Sequence, residues 1–254
     1  MSMKKRRPIK FVVVALVMVV VVMIFAFKGA EPTYQGKSLT HWLRDLDDGV
    51  PQGQKEKAEE ALASIGVRAL PVLDRMLNAR ESPGERITQW VYSLPFVEPT
   101  NFTFSVTSAR EKQQRALRGY GVLGTIAIPG LIRALNHEED WICDSAASCL
   151  GELGARAVDA VPALIRSMEG RKSMSMVRAL GKIGSTAKEA IPALTEAMRD
   201  RDLHYRICVA NALVQIDPRL RETYPTINEV LKEGENLARQ QGIRATPDVL
   251  TKRF

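Results

Sequence analysis

Histidine and cysteine, which supply many metal ligands and catalytic groups, are scarce in this sequence of 254 residues, with three of each. The histidines, His41, His137 and His204, are widely separated, and none lies in HExxH or another metal-binding spacing. GxSxG, P-loop, GxGxxG and paired-cysteine motifs are also missing. We therefore predict no metal site, no cofactor and no catalytic residues, and we predict that the protein is not an enzyme.

The three cysteines are Cys143, Cys149 and Cys208. An odd number leaves at least one of them unpaired. Cys143 and Cys149 are six residues apart, which on one helix places them on different faces and too far apart for a disulfide. Cysteine is readily accepted as a small buried apolar residue, so we predict a core position for these side chains and no structural disulfide.

Acidic residues are missing from the first 28 residues, which contain six Lys and Arg residues. They are Lys4, Lys5, Arg6, Arg7, Lys10 and Lys28. The formal net charge of the chain is +7, so the remaining residues together carry only +1. This near-neutral remainder argues against a nucleic-acid partner, which favours a strongly basic surface.

The basic N-terminus, residues 1–10, is followed by seventeen apolar residues without a charge, residues 11–27. As a helix they would measure roughly 26 Å, and flanking Lys10 and Lys28 can snorkel to complete a span of a typical bilayer. A cleaved secretory signal is the alternative, but its apolar region is usually shorter and is followed by small residues. We predict an uncleaved transmembrane anchor with a cytoplasmic N-terminus and an extracytoplasmic body, which in a bacterium is periplasmic.

Five copies of one short phrase dominate the rest of the chain. They read ALASIG at 61–66, GYGVLG at 119–124, CLGELG at 149–154, ALGKIG at 179–184 and ALVQID at 212–217. The first four are followed by a branched apolar residue and then by Pro71, Pro129, Pro162 and Pro192. The apolar spacing predicts a helix, the glycine its end, and the proline the first turn of a second helix. The interval from glycine to proline is five residues in the first two copies and eight in the next two, so we expect a tighter corner in the N-terminal copies.

A two-helix hairpin of this length cannot bury its apolar faces alone, so the copies must stack. The phrase ALGxIGxxAxxAIPAL, as at 179–194, closely resembles HEAT-like repeats, especially the short bacterial form associated with phycobilisome lyases. The resemblance covers roughly residues 53–220. It implies an all-α fold, an α-solenoid of about five stacked hairpins. The family includes scaffolds, lyase subunits, iron–sulfur enzyme maturation partners and glycosylases, so it implies no single function.

Segments on either side of the repeats differ from the phrase. We interpret residues 28–36 as a linker and residues 37–52 as an N-terminal capping region, in which Ser38 or Thr40 caps a helix with an apolar stripe. The stripe consists of Leu39, Trp42, Leu43 and Leu46. Residues 221–254 are predicted to form a capping helix around 227–241 and a loose tail.

An insertion interrupts the repeats at residues 80–110 and contains five of the fifteen aromatic residues of the chain. Insertions in repeat proteins often lie on the binding face, so Trp90, Tyr92 and Phe96 are candidate partner-binding residues. The alternative is an extra helix that packs its Trp and Leu side chains onto the stack.

A second candidate surface consists of the residues four positions after each proline, which are Arg75, Arg133, Arg166 and Glu196. If the second helices line a concave face, the arginines could bind an acidic peptide, a carboxylate or a phosphate. The alternative is an exposed helical position that pairs with local acids such as Asp74.

These patterns favour a membrane-anchored scaffold that mediates protein–protein interaction on the extracytoplasmic side. The alternative is a HEAT-like lyase or chromophore-attachment subunit, or a DNA glycosylase of the helical-repeat class. A glycosylase needs a basic groove, which the near-neutral body disfavours.

Overall fold

A computed structural model of the protein describes residues 31–81 and 108–240. In chain order its helices are α1 Leu39–Arg44, α2 Gln52–Ile65, α3 Leu70–Leu77, α4 Ala109–Leu123, α5 Ile128–Ala134, α6 Asp140–Leu153, α7 Val161–Gly170, α8 Met174–Ile183, α9 Ile191–Ala197, α10 Leu203–Ile216, α11 Leu220–Thr223 and α12 Pro225–Gln240. Helices α2, α4, α6, α8 and α10 are the first helices of five successive pairs. Helices α3, α5, α7, α9 and α12 are the second. The described residues therefore form a stack of helical hairpins, which confirms the predicted helical repeat fold.

One small β-hairpin departs from the all-α prediction. Strands β1 Thr33–Tyr34 and β2 Lys37–Ser38 pair antiparallel around Gln35 and Gly36. Both turn residues have positive φ, 49° and 75°, the arrangement of a type I′ turn. The predicted linker 28–36 therefore includes a strand.

Helix α1 closes the N-terminal end of the stack. The Ser38 side chain accepts a hydrogen bond from the His41 backbone N–H, so Ser38 rather than Thr40 is its N-cap. All four predicted stripe residues, Leu39, Trp42, Leu43 and Leu46, are buried. The helix is shorter than the predicted capping region 37–52, and helix α2 of the first repeat already begins at Gln52.

Each repeat corner follows the predicted glycine. Gly66, Gly124, Gly154 and Gly184 end the first helices with φ between 55° and 73°. A 3-10 turn follows each of them, at Gly66–Ala69, Gly124–Ala127, Gly154–Ala160 and Gly184–Ala190, and proline then lies in the first turn of the second helix. The corner is shorter in the first two repeats, as the glycine-to-proline interval predicts.

Small residues bring the first helices of neighbouring repeats into close contact. A Cβ added to Gly151 of α6 would lie 3.0 Å from the Ala179 Cα of α8, and one added to Gly181 would lie 3.0 Å from the Ala212 Cα of α10. The second helices do not approach one another as closely. The tight side of the stack is therefore the side of the first helices.

One continuous apolar core runs through the stack. Cys143 and Cys208 are buried in it, Cys149 packs against it half-buried, and all three cysteines are free. The last helix extends over Pro225–Gln240, close to the predicted 227–241.

No helix within residues 31–81 and 108–240 has both the length and the apolar character that crossing a membrane requires. The predicted anchor at 11–27 lies outside the described residues, as do residues 82–107 of the predicted insertion and the tail after residue 240.

Candidate functional site

The sequence indicates two candidate surfaces, the aromatic residues of the insertion and the arginines of the second helices. Trp90, Tyr92 and Phe96 lie outside the described residues. Arg75, Arg133 and Arg166 are exposed, as predicted, and lie on the second helices α3, α5 and α7.

Arg133 is already engaged within the protein. Its guanidinium pairs with the Asp74 carboxylate of the preceding repeat, the partner that the alternative interpretation named. Asp74 also accepts a hydrogen bond from the Tyr120 hydroxyl. Burial is the largest cause that raises the pKa of Tyr120, and the hydrogen bond to Asp74 and the negative charge of Asp74 raise it further. The hydroxyl therefore remains a donor at physiological pH. Arg133 thus joins two repeats, and the predicted row of arginines is not a set of equivalent free cations.

A groove of about 450 Å³ lies on the opposite side, across the first helices α6, α8 and α10. Its small residues are Gly151, Ala179 and Ala212, the same residues through which these helices make contact. Longer polar side chains line the rest, namely Ser148, Glu152, Ser175, Arg178, Lys182 and Gln215. Close helix packing and the groove therefore have the same cause, because the side chains along the contact are too short to fill the surface above it.

Arg178 on α8 has an unusual environment for a cation. Its side chain is half-buried, and its Nε atom is buried without a hydrogen-bond partner. Its guanidinium lies near the thiol of Cys208 on α10. No carboxylate within residues 31–81 and 108–240 forms an ion pair with it. An arginine that is partly removed from water without a counter-ion is an electrostatic cost that a bound anion could offset.

The Cys208 thiol does not neutralise Arg178. Burial raises its pKa to about 11, against the smaller lowering effect of the Arg178 guanidinium. The thiol is therefore protonated at neutral pH, and its Sγ lies 3.7 Å from the Met174 carbonyl oxygen to which it donates. It is also a poor nucleophile in that state.

The remaining charges of the groove cancel each other. The Lys182 ammonium on α8 pairs with the Glu152 carboxylate on α6. Together with Arg178 they give the lining a formal net charge of +1. The lining contains no histidine, and among the described residues no group of His, Cys, Asp or Glu side chains could hold a metal ion. The net positive charge of the lining is suited to binding an anionic group.

The sequence contains a signal for this groove in the variable positions of the repeat phrase. Ser148 and Arg178 directly precede the phrase in two copies, and Glu152, Lys182 and Gln215 occupy its fourth position in three copies. Ser175 and Cys208 lie four residues before it. All these residues lie on one face because they share helical spacing with the small contact residues. Pattern analysis that concentrates on the constant residues of the phrase overlooks them.

Residues 174–200 match the family model of the PBS lyase HEAT-like repeat. This HEAT-like repeat consists of α8, its corner and α9, and it contributes Arg178 and Lys182 to the groove. The match identifies the repeat type and confirms the resemblance for this stretch. A comparison with curated proteins finds no match.

Solved structures that are similar to the chain include the following two. One is the complex of CpcE and CpcF of phycocyanin lyase from Nostoc sp. PCC7120, with a TM-score of 0.45 and 20% sequence identity, covering 81% of this chain and 73% of that chain. The other is an engineered protein, with a TM-score of 0.38 and 18% identity, covering 77% of this chain and 87% of that chain.

Proposed function

We propose that the protein is a HEAT-like repeat scaffold that holds a protein partner against its first helices, and that it is not an enzyme. The observation that carries the proposal is the groove that crosses three successive repeats at equivalent positions of the repeat phrase. Stacked repeats offer extended surfaces of this kind, on which a partner contacts several repeats at once.

We also propose that residues 11–27 tether this scaffold to a membrane, with the repeats on the extracytoplasmic side. The support is the apolar run and the cluster of positive charges before it. A compartment reporter fused to the C-terminus tests this part separately. An extracytoplasmic signal from the reporter is expected, and a cytoplasmic signal would overturn the topology without affecting the proposed scaffold function.

Site-specific photo-crosslinking in cells tests the scaffold function and its surface together. A photoreactive amino acid is placed at Ser148 in the groove, at Arg166 on the second helices, or at Trp90 in the insertion. We expect one discrete partner protein to crosslink when the photoreactive amino acid is at Ser148, and no partner to crosslink when it is at Arg166.

Crosslinking only from Arg166 would assign the binding surface to the second helices, and crosslinking only from Trp90 would assign it to the insertion. If no position crosslinks a protein above the background of the unsubstituted chain, the scaffold function is wrong.

A lyase or chromophore-attachment subunit is the second candidate function. The match of residues 174–200 to the PBS lyase HEAT-like repeat favours it and supports it more directly than it supports a membrane scaffold. The same crosslinking experiment distinguishes the two functions. The lyase function would be favoured if the crosslinked partner absorbs visible light and loses this absorption in cells from which this protein has been deleted.

A further inference from the structure

We propose that the groove receives one carboxylate of the protein partner, from an Asp or Glu side chain, and that Arg178 is the residue that binds it. This inference rests on the proposed function, because it assumes that the partner lies against the first helices. It adds the chemistry by which the partner is recognised.

The first argument is the environment of the Arg178 guanidinium. Its Nε atom is buried without a hydrogen-bond partner, and the nearby Cys208 is an uncharged thiol. A guanidinium presents its N–H groups in a planar fork that fits the two oxygens of a carboxylate. A partner carboxylate at Arg178 would therefore supply the missing counter-charge.

The second argument is the charge of the groove. The Lys182–Glu152 pair is internally neutral, which leaves one uncompensated positive charge at Arg178. One carboxylate balances this charge. A doubly charged phosphate would place an excess negative charge beside the Glu152 carboxylate, which disfavours it.

The third argument concerns the kind of molecule that carries the carboxylate. Small-molecule sites are lined mainly by apolar and aromatic side chains. The described residues that line the groove include no aromatic residue, and six of these ten residues have polar side chains. Its volume of about 450 Å³ accommodates a protruding side chain with part of its neighbours. These features fit a side chain on the surface of a partner protein better than a free metabolite.

The test begins with a random peptide library displayed on phage and selected against the full-length protein in a neutral detergent. Peptides are then synthesised with blocked termini, so that their only carboxylates are Asp and Glu side chains. The variant Ser148→Trp fills the groove with a larger side chain. We expect the peptides that bind the wild-type protein but not this variant to share one acidic residue.

Dissociation constants are then compared for the acidic peptide and for its Glu→Gln or Asp→Asn form. With the wild-type protein the neutral form is expected to bind about tenfold more weakly, as for the loss of a charge-assisted pair. With Arg178→Gln the two forms should bind within about twofold of each other. Arg221→Gln, which changes an exposed arginine on α11 outside the groove, is the matched control and should retain the tenfold difference.

Arg178→Lys provides a second variant that keeps the charge and removes the planar fork, and it should retain part of the difference. The peptide substitution tests the inference on the unaltered protein, so the result does not depend on whether a variant folds.

Groove-binding peptides without a shared acidic residue would overturn the carboxylate inference and leave the scaffold function standing. A library that yields no peptide sensitive to Ser148→Trp would overturn both. N-acetylglutamate that binds as tightly as the acidic peptide would overturn the assignment of the carboxylate to a protein.

Discussion

Glycine serves two different purposes in this protein, one in the corners and one along the first helices. At the corners, Gly184 has φ of 73°, a conformation that L side chains rarely adopt. Within helix α8, Gly181 is helical, and its missing side chain lets α10 approach. Gly121 of α4 is also helical, but a Cβ there would meet nothing within 4 Å. The effect of a glycine substitution therefore depends on its neighbours more than on its helix.

Gly181→Ala and Gly121→Ala form a matched pair for this distinction. The added methyl at position 181 would lie 3.0 Å from the Ala212 Cα, so we expect the free energy of unfolding to fall by about 1–3 kcal/mol. Gly121→Ala should raise it by about 0.5–1 kcal/mol, because alanine has the better helix propensity. Urea unfolding of the full-length chain, followed by far-ultraviolet circular dichroism, measures both. Equal midpoints for the two variants would contradict the close approach of α8 and α10.

The individual helices depend on capping interactions that the repeat phrase does not contain. Helix α4 begins with a capping box, in which the Ser108 hydroxyl accepts from the Glu111 backbone N–H and the Glu111 carboxylate accepts from the Ser108 N–H. Ser173 and Asp202 cap α8 and α10 in a similar way. These caps set where α4, α8 and α10 start and thus which of their residues reach the contact with the neighbouring repeat.

Ser108→Ala removes the hydroxyl acceptor at the start of α4, and we expect it to lower the free energy of unfolding by about 1 kcal/mol. Ser108→Gly is the control, because glycine at an N-cap costs only a few tenths of a kcal/mol relative to serine. Both are measured by the midpoint of urea unfolding. If the alanine variant is as stable as the wild type while glycine is not, the capping box is not formed in solution.

At the scale of the whole molecule, stability is distributed along a chain of contacts between neighbouring elements. Helix α1 covers the first repeats. Leu43 of α1 and Leu73 of α3 both pack closely against Gly119 of α4, because a Cβ added to Gly119 would lie only 2.9 Å from the Cδ2 atom of each leucine. The Asp47 carboxylate after α1 binds Arg115 and Arg118 of α4, with N–O distances of 2.7 Å. The N-terminal end is therefore connected to α4 by both apolar and ionic contacts.

Leu43→Ala should destabilise the stack locally. Leucine 43 is fully buried, so we expect the opening free energy of α2 and α4 to fall by about 2–5 kcal/mol, with a much smaller change in α10. Hydrogen exchange of backbone amides, resolved by helix, measures the difference. Leu213→Ala in α10 is the matched control and should give the reverse pattern. Uniform loss of protection along the chain would show that the repeats unfold as one unit.

The repeat phrase allowed the helical hairpins, the corner glycines and the core leucines to be predicted, because each depends on interactions within a few residues of the chain. The 3-10 turns between Gly154 and Ala160 or Gly184 and Ala190 were not predicted, because nothing in the spacing distinguishes them from an open loop. The partner of Arg133 was foreseen only as an alternative. Asp74 and Arg133 are 59 positions apart in the sequence, and they are near in space because their two repeats stack.

The sequence by itself determined the helical repeat, since apolar periodicity, glycine and proline act locally and recur at a regular interval. Tertiary structure decided which side of the stack is tightly packed, because that depends on small residues from different repeats meeting at Gly151, Ala179, Gly181 and Ala212. It also decided that Arg133 has a carboxylate partner while Arg178 has an unpaired Nε and no carboxylate among the described residues. Both are arginines on amphipathic helices, and only the neighbouring repeats distinguish their environments.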